Sequence, residues 1–243
     1  MLNTSLRIWF KAKKCPAWSC PACGRPELSI QEGSFRQSIT LTSRQKQFNN
    51  RGWNPPDDAF VYSCILECKN SLCGEVVASS GEGFTDYEFD PNLKKNVLVT
   101  EFRATSFCPP LMAFSIPKSS PDAVRISLVS SFSLYLVSPS AAANAIRVSI
   151  EELLTALKVP TARKMHVRLE NLPPLFAVHK NALNAIRWLG NAGSHKYDEV
   201  KATDIEEAFE VMEFVLNDIY NEKAARILEM VERIGDAFGP KKN

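Results

Sequence analysis

The sequence predicts an α+β chain: a strand-rich first part carrying the cysteines, a proline-punctuated crossing, and a helical second part. Three observations lead there. Six of the seven cysteines precede residue 75. Short runs of β-branched and aromatic residues fill the stretch to about residue 107. Beyond Ser120, apolar residues recur at helical spacing, and most runs open at a cap or a proline.

The strand runs are 28–41, with Ile30, Phe35, Ile39 and Leu41; 59–66, with Phe60, Val61, Tyr62, Ile65 and Leu66; then 75–78 and 97–102. Asn49-Asn50-Arg51-Gly52 and Asn54-Pro55-Pro56-Asp57 are turn signals between them. From Cys108-Pro109-Pro110 to Pro117 and Pro121, proline removes backbone donors and holds its predecessors extended. The domain boundary is therefore placed in 108–120, between a β-rich domain at 1–107 and a helical one at 121–243.

Ser120-Pro121-Asp122 reads as an N-cap, a first-turn proline and a dipole-favouring acid, opening a helix to about 137. Ser138-Pro139 opens a second helix that stops before Pro160, with Arg147 and Glu151 spaced for an intrahelical pair. Asn171-Leu172-Pro173-Pro174 starts a third through Leu183, Ile186 and Leu189. Thr203-Asp204-Ile205-Glu206 reads as a capping box for a fourth, and 224–238 continues it or forms a fifth. Apolar-faced helices joined by short loops make a bundle.

Composition excludes little but excludes it cleanly. A net charge of +2 on 243 residues leaves any basic surface local. No apolar run approaches the roughly 20 residues of a membrane span, and 1–14 lacks the apolar core of a secretory signal, so a cytoplasmic protein without membrane contact is expected. P-loop and Ser/His/Asp patterns are absent, and Gly81-Glu82-Gly83 lacks the Lys-Ser/Thr a phosphate loop needs.

Cys20-Pro21-Ala22-Cys23-Gly24 is a knuckle, and Cys68 to Cys73-Gly74 is a second, looser one. Cys20, Cys23, Cys68 and Cys73 are the expected ligands of a structural Zn²⁺ in a zinc ribbon; Cys15 or Cys64 could substitute. Four thiolates leave no open position for catalysis at the metal.

Arg187, Asn191 and His195 recur every four residues in Arg187-Trp188-Leu189-Gly190-Asn191-Ala192-Gly193-Ser194-His195. That spacing stacks a guanidinium, an amide and an imidazole on one helix side, a set suited to phosphate. Against this stands a structural alternative, in which Gly190 and Gly193 end the helix and the cations serve its terminal carbonyls. His179, about two turns earlier, reads as a surface histidine, and Arg163 to Arg168 as a solvated basic face.

The second half resembles the domain-of-unknown-function 4145 family, grouped with the HEPN superfamily of helical bundles. The proline-rich entry before Pro121, Ala141-Ala142-Ala143-Asn144-Ala145-Ile146-Arg147, and the segment 186–195 carry the resemblance. It implies an all-α HEPN-like bundle behind the β-rich zinc ribbon, a homodimer formed through that bundle, and work in prokaryotic antiviral defence, toxin or restriction systems. Catalytic members are metal-independent ribonucleases whose motif pairs an arginine and polar residue with a later histidine. By position Asn191 and His195 match the polar residue and the histidine; Gly190 stands in the usual arginine position, with Arg187 nearly a turn upstream. The resemblance thus implies an RNA-directed protein acting through Arg187, Asn191 and His195. A non-catalytic module that recruits a protein or nucleic-acid partner in a defence complex is the alternative.

Overall fold

The structure is a computed structural model that describes residues 4–49, 56, 58–195, 200–220, 227, 230–234 and 238. A curled antiparallel sheet comes first and helices follow. This corrects the expected zinc ribbon followed by an all-α HEPN-like bundle. The strands β1 (Leu28–Ile30), β2 (Arg36–Ile39), β3 (Ala59–Cys68), β4 (Val76–Asp90) and β5 (Lys95–Cys108) form a single five-stranded sheet. With strands of 10, 15 and 14 residues at β3, β4 and β5, it is far larger than a metal-held ribbon.

Its stability comes from an aromatic core rather than from cysteine ligation alone. Phe35 stacks on Tyr62 at 5.3 Å, Phe10 meets Trp18 edge-on at 5.3 Å, and Trp18 meets Phe107 at 5.0 Å. Tyr62, Cys64, Leu66 and Cys68 alternate inward along β3. The structure extends the expected runs 75–78 and 97–102: β4 continues through Phe84, Tyr87 and Phe89, apolar yet exposed, and β5 through the buried Ala104 and Phe107. A bulge at Ser80/Gly81 shifts the β4–β5 register and lets the sheet bend. The helix α1 (Leu41–Asn49) interrupts what reads in sequence as strand and turn. Asn50 to Pro55 and Asp57, the rest of that turn region, lie outside the described residues.

The second half comprises α2 (Asp122–Leu134), α3 (Pro139–Ala156), the short α4 (Met165–Glu170), α5 (Lys180–His195) and α6 (Ala202–Ile219). Ser138 caps α3 by accepting the N–H of Ala141, with Pro139 in the first turn, as its sequence dictates. The helix expected from Pro173-Pro174 begins instead as a 3-10 turn, Pro174–His179, closed by Phe176 N–H on Pro173 O at 2.8 Å. The expected Thr203 capping box is displaced: Asp204 accepts the Lys201 N–H at 2.7 Å, and Glu206 pairs with Arg7 at 3.2 Å. Of the helix expected at 224–238, residues 227, 230–234 and 238 are described, helical and exposed.

The core of this half is built on α3, whose Ile146, Ile150, Leu153 and Leu154 are wholly buried. Leu183 and Ile186 of α5 and Phe209, Met212 and Val215 of α6 are buried with them. Two polar residues that read as surface are inside. Arg168 of α4 donates to Glu151 O, Thr155 Oγ1 and Val159 O, serving carbonyls at the end of α3. His179 is 1% exposed, with Nε2 at 2.8 Å from Asp218 Oδ2.

The glycines of α5 do not end it. A Cβ on Gly193 would stand 2.6 Å from Ser140 O and 2.9 Å from Ala143 Cβ. One on Gly190 would stand 2.5 Å from Arg147 Cβ and 2.9 Å from Ala143 O. Hydrogen in place of Cβ lets α5 lie directly on the backbone of α3, and this contact compensates the weak helix propensity of both residues. Gly190→Ala and Gly193→Ala should each lower stability by about 1–2 kcal/mol, overpacking outweighing the helix-propensity gain. Asn191→Ala, on the exposed face, should stay within about 0.5 kcal/mol of wild type. Urea unfolding of the three variants checks both.

Candidate functional site

Two groups of chemically capable side chains stand apart in the fold. The first is at one end of the sheet. Pairing of β1 with β3 sets Leu28 opposite Cys68 and so carries the first knuckle to the hairpin turn between β3 and β4, where the second knuckle lies. Each knuckle closes on a left-handed glycine, Gly24 at φ +74° and Gly74 at φ +64°, a conformation other residues rarely adopt. Gly24 donates to Cys20 O at 2.9 Å, and Gly74 to Asn70 O at 3.2 Å. The backbones interlock as well: Cys20 N–H bonds Arg25 O at 2.8 Å, Cys68 N–H bonds Glu75 O at 2.8 Å, and Lys69 N–H bonds Glu27 O at 2.9 Å.

The outcome is a quartet. The sulfurs of Cys20, Cys23, Cys68 and Cys73 all lie within 4.8 Å of one another, an arrangement compatible with a metal site. Cys20 and Cys73 are 3.7 Å apart, as are Cys23 and Cys68. The thiols differ: the Arg25 backbone lowers the Cys23 pKa to about 7, while burial pushes Cys68 up to about 12. Four thiolates this close repel one another unless a cation sits among them, so the quartet favours a positive ion with soft-ligand affinity.

Cys15 and Cys64 are not part of it. Cys15 Sγ donates to Leu28 O at 3.5 Å, and burial raises its pKa. Cys64 faces the sheet core and is pushed up to about 12 by burial. Both are packing thiols. Across a cleft of about 470 Å³, the first knuckle faces the segment Met112 to Ile116 and Arg125 of α2.

The second group lies along α5. The helix continues through Gly190 and Gly193, so Arg187 and Asn191 stay one turn apart on an accessible side. Arg187 is half-buried and its Nε donates to Asn184 Oδ1 at 3.0 Å, not to a helix-terminal carbonyl. Its guanidinium lies 5.5 Å from the ring centre of Trp188, which is 61% exposed. Asn191 is exposed. His195 is the last residue of α5, and its side chain lies outside the described residues.

Sequence reasoning missed what stands beside this stripe. Arg147 of α3 lies over Gly190, its Nε 3.4 Å from Asn144 Oδ1 and its Nη1 2.6 Å from Glu151 Oε1. Asn144 Oδ1 also receives Ser194 Oγ from α5 at 3.4 Å. Next to this contact, a groove of about 610 Å³ opens between Ile126 and Ser130 of α2, Ser140 and Asn144 of α3, and Gly193 and Ser194 of α5. A signal was available: a glycine that breaks helix propensity mid-segment marks the place where a neighbouring helix and its side chain must pass.

Metal binding at the quartet displaces thiol protons, so affinity should fall as pH falls toward and below neutrality. Titration of Co²⁺ into the full chain should give one equivalent of thiolate-to-metal charge transfer. That band should be lost in Cys68→Ser and kept in Cys15→Ser and Cys64→Ser.

Residues 8–109 match the model of a domain of unknown function, DUF8608, and residues 130–234 match that of another, DUF4145. No curated protein and no solved structure matches the chain. Among the described residues, no helix is long and apolar enough to cross a membrane. The second match supports the family resemblance read from the Asn144 and Arg187 segments.

Proposed function

We propose that this is an RNA-directed protein of HEPN type that binds, and cleaves without metal, RNA held along α5. The observation that carries the reading is the continuity of α5 through Gly190 and Gly193. It keeps Arg187 and Asn191 on one accessible side, with His195 the last residue of the same helix. Had the helix ended at Gly190, Arg187 and Asn191 would not lie one turn apart on a helix.

The chemistry follows from the residue types. A phosphodiester attacked by its 2′-hydroxyl needs a proton accepted from that hydroxyl or delivered to the leaving oxygen. An imidazole titrating near neutrality suits this task, and it is assigned to His195. The developing charge on phosphorus calls for a fixed fork of donors, assigned to Arg187, whose Nε is already held by Asn184. Asn191 supplies a donor to a phosphate oxygen. Trp188 offers an exposed ring on which a base can stack. One such set is sparse equipment, and a homodimer would place two sets about a two-fold axis. A role in prokaryotic defence or a toxin-like response in the cytoplasm fits this activity.

The metal assigned to Cys20, Cys23, Cys68 and Cys73 is zinc in a structural role. Four sulfurs at about 2.3 Å from a tetrahedral ion stand about 3.8 Å from one another. Two pairs here are at 3.7 Å and all lie within 4.8 Å, so a contraction of about 1 Å at most completes the site. The ion would lock two knuckles that Leu28 and Cys68 already bring together.

A second reading has its own support. Leu175, Val178 and Phe214 are 79%, 76% and 62% exposed, which suits a protein partner recruited without catalysis.

The test is cleavage of bulk tRNA by the full chain with EDTA present, wild type beside Arg187→Ala and His195→Ala. The expected result is 2′,3′-cyclic-phosphate ends, with the rate in each variant reduced at least about 100-fold. Absence of cleavage, or cleavage unchanged in both variants, transfers the assignment to the recruiting module.

A further inference from the structure

A tetrapeptide occurs twice in the helical half: Asn144-Ala145-Ile146-Arg147 in α3 and Asn184-Ala185-Ile186-Arg187 in α5. The two copies are built alike. Each isoleucine is buried in the core, at 0% and 2% exposure. In each, the asparagine Oδ1 receives the Nε of the arginine three residues on, at 3.4 Å in α3 and 3.0 Å in α5. A guanidinium held by Nε has its orientation fixed while its two η-nitrogens point onward.

The two helices bring the copies together. Ser140 and Ala143 lie against Gly193, and Arg147 lies against Gly190, so α3 and α5 run antiparallel in direct contact. Gly190 follows Arg187 by less than one turn, and the Arg147 side chain occupies the space its missing side chain leaves. Both arginines therefore reach the same edge of the α3–α5 seam, where Asn144 also meets Ser194.

The partners of the η-nitrogens differ. Among the described residues, those of Arg187 have no hydrogen-bond acceptor, while Nη1 of Arg147 holds the carboxylate of Glu151 at 2.6 Å. The edge thus carries two oriented guanidiniums and one planar oxyanion, and that oxyanion belongs to a half-exposed side chain that can swing away.

We infer that Arg147 and Arg187 form one two-guanidinium fork for a phosphate group, with the Glu151 carboxylate occupying the phosphate position on the Arg147 side until ligand displaces it. In the RNA-directed reading, on which this rests, the phosphate is a backbone phosphodiester of the strand. Arg147 then supplies a second cation from a different helix, over Gly190. An amide at position 151 carries no charge to compete with phosphate, so Glu151→Gln should favour the ligand.

Binding of bulk tRNA to the full chain, measured by filter retention over a salt series, tests the fork. Arg147→Ala and Arg187→Ala should each weaken binding roughly tenfold and each reduce the slope of log affinity on log salt by about one. Arg147→Lys should recover the slope but little of the affinity, because an ammonium lacks the planar fork. Glu151→Gln, which leaves the packing over Gly190 untouched, should tighten binding several-fold. If wild type binds and Arg187→Ala alone weakens it, with Arg147→Ala and Glu151→Gln unchanged, the fork is wrong and the RNA reading stands. If wild type does not bind tRNA, the RNA reading falls, and inorganic phosphate then decides the fork. Phosphate should shift the Nε–Hε resonances of Arg147 and Arg187 together; an unmoved Arg147 resonance overturns the proposal.

Discussion

The close approach of α5 to α3 at Gly190 and Gly193 is the constraint on which the helical half depends. Two side chains had to be given up for it, at positions where any Cβ would meet backbone oxygen within 3 Å. In return the seam is narrow enough for the α3 side chains Asn144 and Arg147 to reach the surface of α5. Core and candidate site are therefore one construction: the inner face of the seam buries Ile146 and Ile186, and its outer edge presents the polar residues.

The sheet half is organised differently. Its aromatic core takes in the buried Cys20, Cys64 and Cys68, and the cysteine quartet sits at the end of the sheet where β1 and the β3–β4 turn meet. That end lies across a cleft from the segment leading into α2. Phe114 of the same segment meets Phe132 of α2 edge-on at 5.2 Å, so the chain between the halves is packed apolar structure despite its prolines. An ion in the quartet would stiffen one wall of the cleft and leave the other to the helices.

Much of this was legible from residues alone, where the signal was local. Ser138-Pro139 names the start of α3, and the spacing of Cys20, Cys23, Cys68 and Cys73 names the quartet. What failed was every inference in which a distant contact overrides a local rule. Gly190 and Gly193 read as terminators because propensity knows nothing of α3. Arg168 and His179 read as surface because polarity stands in for exposure, yet both are buried where carbonyls or a carboxylate receive them. The repeated Asn-Ala-Ile-Arg was in plain view, but its meaning depends on the two copies lying in adjacent helices.

The 3-10 turn at Thr4–Arg7 carries a different kind of consequence. Arg7 pairs with Glu206, 199 residues further along, and Ser5 O receives the indole N–H of Trp18 at 3.0 Å. On a ribosome, the aromatic cluster of the sheet can assemble as soon as β5 has emerged. The Arg7–Glu206 pair must wait until α6 has followed, with a loop of 199 residues to be closed. That pair is therefore among the last contacts to form, and until then the Glu206 face of α6 is open to other partners, chaperones among them.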